Sequence, residues 1–568
     1  MKIAPRHPDF AYVSADLWLP KKHLNVNAVK ASLILPVSRG KGADSVVQMW
    51  SETSHHLIVP REMYDIAEVT DRFQTIDARP QTFTRTGVKS TITLDARSPE
   101  FTTQRDAVQA MLQSHGGVLQ LACGLGKSVV ALEVIARLQV PALIVVDTTQ
   151  LLAQWEREIG RFLTIPGGLG RLQGKTHDWR KAVVLTTYQT LSTLSQKLPD
   201  GMTTWFGVGV YDESHHLGAE VFSRAANVVA GRRYGLTATP ERVDGTTRLY
   251  FAHLGKILLK DLRTDLQPTV VFYRTGVRLD LTDAATRDKV CDVNGEVHHG
   301  KLASYLGQHP DRVPLVLDEI RKARDAGRRC LVLSYSIEEL VNLFAKWSGA
   351  TESYSDIRPP TAEELGLTVP PIALTKLKLH NRIKTRNVYR GKLIRASGSE
   401  RQALQLALQH VEREIAQHEA SQILERAWDK KRGDYIRRVV ANAGDAGLMI
   451  GAVDVATREK FLNEKKVVFA IMKYGREALD QPLLDTIIAC EAVGQEGALR
   501  QLLGRALRKK GGKKSPITVF FEDDIGLSIG MCRKLRRFLR ENPPDAGGPI
   551  EFHTVIHNAN DNFWSRLP

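Results

Sequence analysis

Cysteine is scarce in this chain, and the five that occur (Cys123, Cys291, Cys330, Cys490 and Cys532) never form a C-x-x-C pair. That argues against a zinc ribbon or a disulfide framework and predicts reduced thiols. Long apolar runs are also missing: no window approaches the roughly 18 residues of a membrane span, and the start, MKIAPRHPDFAYVSADLW, lacks the apolar stretch of a secretion signal. A cytoplasmic protein without membrane contact is expected. Internal repeats and low-complexity tails are absent too. Acidic residues are in deficit, with 63 Asp and Glu against 79 Lys and Arg, a net charge of +16. A basic surface of that size attracts polyanions, chiefly nucleic acid or an anionic membrane, although it also serves solubility. Otherwise the composition is that of an ordinary folded protein, 43% hydrophobic and 25% charged, and 568 residues exceed what one core can hold.

Residues 1–97 carry short β-like runs, ASLILPV, HLIVP and STITL, between Pro, Gly and charged turns, and predict a small β-rich accessory domain. His55 and His56 have no Cys or carboxylate partner at ligand spacing, so a surface or packing role outweighs metal binding. Over residues 98–264 short apolar runs (VLQLA, ALIVVD, AVVLTT, FGVGVY, YGLTA) alternate with amphipathic stretches such as QLLAQWEREIGRFL. This is the texture of buried parallel strands with crossover helices, a doubly wound α/β domain. A second α/β region covers residues 265–540, with strands CLVLSY, KVVFAI, DTIIAC and ITVFFED, and a tail follows at 541–568. Residues 350–445 interrupt the second region. There LTKLKLHNRIKTRNVYRGKLIRASGSER has eight basic residues from Lys376 to Arg395 with no acid among them, and Leu404, Leu408, Val411 and Ile415 then recur at helical spacing. The pattern predicts a basic insertion of one or two long helices packed as a hairpin.

Two stretches carry chemistry. The strand VLQLA enters CGLGKSVVALEVIARL, a glycine loop followed by a helix. Gly124 and Gly126 let backbone N–H groups approach phosphates, Lys127 reaches β and γ phosphates, and the Ser128 hydroxyl suits magnesium. The strict form of this loop has Gly where this chain has Leu121. Downstream, VGVYDESHHLGAE ends an apolar strand in Asp212 and Glu213. Because the carboxyl ends of strands in a doubly wound sheet share one crevice, Asp212 suits magnesium near Ser128 while Glu213 orients and deprotonates water. A metal site at His215 and His216 is disfavoured, since adjacent strand residues point opposite ways.

Together, LACGLGKS, YDESHH, LTATPER and QLLGRALR resemble motifs I, II, III and VI of superfamily 2 helicases of the DExH style. The resemblance is strongest to the branch with XPB-type repair helicases, type III restriction helicase subunits and UvsW-type phage recombination helicases. It implies two RecA-like lobes, ATP and Mg2+ as cofactors, and DNA as partner, in forked or branched replication, recombination or repair intermediates, together with replication or recombination proteins. The compact domain order resembles phage-encoded versions, so a bacterial or phage-infected host cytoplasm is implied. Gln104 in FTTQRDAV stands where the family recognises adenine, with Thr103 replacing the usual aromatic residue. Thr148, Thr149 and Gln150, and Thr187 with Tyr188, resemble the motifs that grip the nucleic-acid backbone. His215, Thr237, Thr239 and Gln501 are implied to couple hydrolysis to movement. Asp480, beside Glu477 in a motif V-like stretch, is implied at the nucleotide; there Ile471 replaces a threonine and Ala478 a glycine. Arg505 and Arg508 are implied to complete the catalytic set of Lys127 and Glu213 as arginine fingers.

Two alternatives to a DNA motor stand beside it: an RNA helicase, since backbone grip does not distinguish sugars, and a nucleic-acid-binding scaffold with a degenerate ATPase core. For the insertion, a DNA grip through Lys376, Lys378, Arg382 and Lys384 and a merely solvated basic face carry equal weight.

Overall fold

The computed structural model describes residues 6–37, 45–94, 99–122, 125–174, 176–195, 197–214, 225–238, 246–261, 269–472, 474, 484–492, 514–541, 551–556 and 564. Two compact units result, one of Met1–Arg278, Ala326–Cys330 and Met472–Pro568, the other of Leu279–Asp325 and Leu331–Ile471.

The first unit opens with a β-rich region. Strands Ala11–Val13, Asp16–Pro20, Ser51–Glu52, His56–Pro60 and Thr75–Asp77 make a five-stranded sheet. His56 is buried, with a ring nitrogen 3.0 Å from the Phe10 carbonyl oxygen, which is the packing role its sequence context favours. The core of this domain is not self-contained. Leu249 and Ala252, from a helix at Thr247–Leu254 in the following domain, pack into it beside Leu17, Leu57 and Phe73. Two fully buried arginines pin the same seam. Arg61 donates to the carbonyls of Ala230 (2.7 Å) and Gly231 (2.8 Å), and Arg233 donates to those of Val229 (2.7 Å), His253 (3.3 Å) and Ala15. Guanidinium groups out of water need such acceptors, because an unpaired buried charge is strongly destabilising.

Next comes an eight-stranded sheet. Its strands are β1 (Gly116–Leu121), β2 (Ala142–Val146), β3 (Gly170–Gln173), β4 (Thr176–His177), β5 (Val183–Thr187), β6 (Val208–Asp212), β7 (Arg232–Thr237) and β8 (Ile257–Asp261), in the order β4-β3-β5-β2-β6-β7-β1-β8. Every pairing is parallel except β3 with β4. Helices α1 (Pro99–Gln113), α2 (Lys127–Leu138), α3 (Thr149–Phe162) and α4 (Tyr188–Leu194) belong to the same domain. Alternate residues of β2 enter different apolar layers, Ala142, Ile144 and Val146 in one and Leu143 and Val145 in the other. A strand buried on both faces must read as an unbroken apolar run, which is why ALIVV shows no alternation.

The second α/β region is also built on parallel strands. In the first unit β9 (Thr269–Arg274) lies between β14 (Ile517–Glu522) and β15 (Glu551–Ile556), and β14 also pairs with β13 (Thr486–Ala489). In the second unit the order is β11 (Ala446–Met449), β12 (Val467–Ile471), β10 (Cys330–Ser334). The helical insertion is a hairpin of α5 (Lys376–Leu393) and α6 (Gly398–Ala441). With 44 residues, α6 extends about 66 Å at 1.5 Å per residue. Val411, Ile415 and Ala420 are its buried mid-length positions.

Cys291, Cys330, Cys490 and Cys532 are buried. Among the described residues no cluster of His, Cys, Asp and Glu could hold a metal, and no helix is long and apolar enough to cross a membrane.

Candidate active site

Parallel pairing fixes where chemistry gathers. β1, β2, β5, β6 and β7 run the same way, so the segments after them, carrying Lys127, Thr148, Tyr188, Asp212 and Thr237, leave from one edge of the sheet. In register, Asp212 stands opposite Leu236 and Thr237 opposite Gln120.

Glycine is required at 126. It adopts φ +78°, the left-handed region, and a Cβ there would lie 2.4 Å from Gln104 Nε2. Gln104 is buried, its Nε2 donates to the Leu125 carbonyl at 3.1 Å, and its Oε1 has no partner among the described residues. An orphaned buried amide oxygen beside a glycine loop fits an amino group of a purine base. Lys127 begins α2 and its ammonium donates to the Leu121 carbonyl at 3.1 Å; Ser128 follows, partly exposed. Thr103 is engaged elsewhere, its hydroxyl donating to Asp261 Oδ2 at 2.6 Å and tying α1 to the end of β8.

Asp212 accepts hydrogen bonds from three other residues at this edge. Its Oδ2 accepts the Trp155 indole N–H at 2.8 Å, its Oδ1 accepts the Glu213 N–H at 3.0 Å, and its carbonyl accepts the Tyr188 hydroxyl at 2.8 Å. Burial, reinforced by the neighbouring Glu213 charge, pushes its carboxyl up to about 6, against the opposing pull of the Trp155 hydrogen bond and the Lys127 charge. Lys127 follows β1 and Asp212 ends β6, so both leave the same edge of the sheet. A loop glycine, a lysine, a hydroxyl and a carboxylate at one sheet edge form a donor set suited to a magnesium-bound polyphosphate.

Glu213 takes φ +46°, a left-handed conformation uncommon for a residue with a Cβ. Such strain persists where surroundings enforce it. Here the following Ser214 is fully buried against Gly235 of β7, where a Cβ would come within 2.7 Å of the serine side chain. The turn after Asp212 is thereby packed onto the strand that ends in Thr237, itself fully buried.

The residues expected to grip nucleic acid divide. Thr148 and Thr187 use their hydroxyls as N-caps, accepting the N–H of Leu151 and of Thr190, each at 3.2 Å. Thr149 is exposed at the first turn of α3. Gln150 lies in that same turn. Tyr188 corrects the expectation for its side chain: it is fully buried and turned to Asp212, because a ring in the apolar layer under β5 and β6 must find an acceptor for its hydroxyl. In the insertion Lys378 and Lys384 are exposed, whereas Arg382 pairs with Glu414 at 2.8 Å. Lys376 begins α5. Gly124, His215, Thr239, Asp480, Gln501, Arg505 and Arg508 lie outside the described residues. Sequence reasoning missed Trp155. Its place on the apolar stripe with Leu152 and Ile159 announced burial, and a buried indole N–H needs an acceptor, but nothing local named Asp212.

Residues 98–242 match the family described as type III restriction enzyme, res subunit. The DNA 3'-5' translocase XPB2 of Sulfurisphaera tokodaii is 36% identical over 158 residues, 28% of this chain and 34% of that protein. The DNA 3'-5' helicase XPB of Mycobacterium tuberculosis is 30% identical over 240 residues, 38% of this chain and 42% of that protein. A protein of Acanthamoeba polyphaga mimivirus, provisionally named ATP-dependent RNA helicase L396, is 26% identical over 243 residues, 42% of this chain and 45% of its own. The chain thus spans between a third and a half of the length of these relatives. The first α/β domain is thus similar to the res-subunit family, and the chain to XPB translocases and helicases.

Proposed function

We propose that the chain is an ATP-driven motor that moves along DNA, acting on forked or branched intermediates of replication, recombination or repair. The observation that carries this reading is the convergence of the Gly126–Lys127–Ser128 loop and Asp212 at one edge of a parallel sheet. The names of the XPB relatives supply DNA as the preferred polymer.

In this reading the loop amides and Lys127 would hold the phosphates, Gln104 Oε1 would accept from the base, and Ser128 and Asp212 would hold magnesium, which when bound would supply neutralisation of phosphate charge. Glu213 takes the proton of the attacking water. Arg505 and Arg508, three residues apart in QLLGRALR, stabilise charge as arginine fingers, with Asp480 at the nucleotide. His215, Thr237, Thr239 and Gln501 couple hydrolysis to motion, and Thr149 and Gln150 contact the polymer backbone. In the insertion, Lys376, Lys378 and Lys384 form an auxiliary DNA grip, with Arg382 contributing less because Glu414 already neutralises it. Replication or recombination proteins are the partners such substrates imply.

ATP turnover measured in parallel with single-stranded DNA, duplex, forked DNA and RNA tests this. Strongest stimulation by forked DNA is expected. Strongest stimulation by RNA would move the assignment to an RNA helicase, the class in the mimivirus relative's name, and stimulation by none would leave a scaffold.

A further inference from the structure

We propose that Trp155 and Tyr188 are positioning residues that transmit polymer binding to the magnesium carboxylate, so that α3 and α4 hold Asp212 from two sides. The proposal rests on the motor reading above.

Three observations carry it. First, the two helices begin at the same sheet edge, after β2 and β5, with Thr148 and Thr187 as caps. Second, each delivers one aromatic side chain to a single residue: the Trp155 indole donates to Asp212 Oδ2 and the Tyr188 hydroxyl to the Asp212 carbonyl, both at 2.8 Å. Third, both rings are rigidly housed. Trp155 is 3% exposed, packed with Leu152 and Ile159, and Tyr188 is fully buried and stacked on Tyr211 with ring centroids 6.5 Å apart. A tryptophan offers one polar hydrogen and no acceptor, so its hydrogen bond has a direction that the ring enforces. Six residues separate Trp155 from the exposed Thr149 on the same helix, and a helix moves as a rigid rod over that distance.

A shift of α3 on engaging the polymer therefore displaces the indole, and with it the orientation of the carboxylate that faces magnesium. The Tyr188 hydroxyl holds the main chain of Asp212 while the side chain turns. By linkage the effect is reciprocal: polymer tightens the magnesium nucleotide by the factor by which the nucleotide tightens polymer. Couplings of this kind amount to about 5- to 150-fold.

The test is a binding cycle on the full chain, without turnover. Affinity for a fluorescent non-hydrolysable ATP analogue with Mg2+ is measured with and without saturating oligo-dT, and oligo-dT affinity is measured alone. Five-fold or greater tightening is expected in the parent, falling to within twofold of no effect in Trp155→Phe and Tyr188→Phe while oligo-dT affinity alone holds. Tyr188→Phe removes only a hydroxyl and carries the test if Trp155→Phe fails to fold. Undiminished tightening in the variants overturns the proposal, as does a parallel loss of oligo-dT affinity, and either leaves the motor reading intact. A parent that shows no tightening removes the proposal, and a parent that also fails to bind oligo-dT removes the motor reading with it.

Discussion

The sheet edge at Asp212 and the basic hairpin of α5 and α6 were both marked by charge, yet the structure treats the two charges differently. At Asp212, groups from α3, α4 and the turn after β6 converge on one residue, two on its carboxylate and one on its carbonyl. In the hairpin, Arg382 and Arg390 are paired by Glu414 and Glu412 across a helix interface. Charge in a sequence thus marks two different things. Where distant elements converge, it marks chemistry; where a neighbouring helix supplies the opposite sign, part of it is internal to the fold.

The largest effect separating the two regions comes from Glu213. Glu213→Gln is expected to lower ATP turnover roughly 10²- to 10⁴-fold, the range for loss of a general base, while nucleotide binding measured by fluorescence titration persists. Near-normal turnover would place Glu213 with the merely solvated charges.

The next effect tests buried charge in the same unit. At the seam with the N-terminal domain, burial beside Arg233 and Arg61 lowers the His253 ring from its ordinary 6.5 to about 3. Between those values the unfolded chain binds a proton that the folded chain does not, so stability falls as pH drops through that window, by up to about 1.4 kcal/mol per pH unit. Asp16 at the same seam is raised by burial and acts in the opposite sense at acid pH. His253→Gln isolates the histidine: its urea midpoint should depend less on pH between 6.5 and 5 than the parent's, and an equal slope would overturn the assignment.

A smaller change is expected at the phosphate loop. Gly126→Ala forces a Cβ into the left-handed region and against Gln104, costing about 1–2 kcal/mol, read as a lower melting temperature together with weaker nucleotide binding. The smallest effects belong to the hairpin. Replacing Lys378 and Lys384 with glutamine should weaken DNA binding and reduce its logarithmic salt slope by roughly one to two. Arg382→Gln should change that slope less, since its partner is Glu414; an equal change would show that the ion pair opens on DNA.

Much of this was legible in the chain. ALIVV, VVLTT and VGVYD read as strands and Leu408, Val411 and Ile415 as a helical stripe, and each lies in such an element; GLGKS reads as a phosphate loop, and Gly126 there takes the left-handed conformation. Trp155 and Tyr188 were legible only as aromatic residues on apolar stripes; their acceptor, Asp212, lies 57 and 24 residues away. Arg61 and Arg233 read as two basic residues among 79, and nothing local marked them as fully buried. The Arg382–Glu414 and Arg390–Glu412 pairs likewise depend on which turns of α5 and α6 face each other.

The division has a physical cause. Periodicity, glycine at a positive φ and the run length of a buried strand act over a few residues, so the amino-acid order alone determined the elements, the glycine turn before α2 and the hairpin. Which side chains share a site depends on the strand order β2-β6-β7-β1, which brings segments more than a hundred residues apart to one edge. Only the tertiary structure decided that Trp155 and Tyr188 hold Asp212, that Arg61 and Arg233 pin the N-terminal domain, and that Arg382 is already paired.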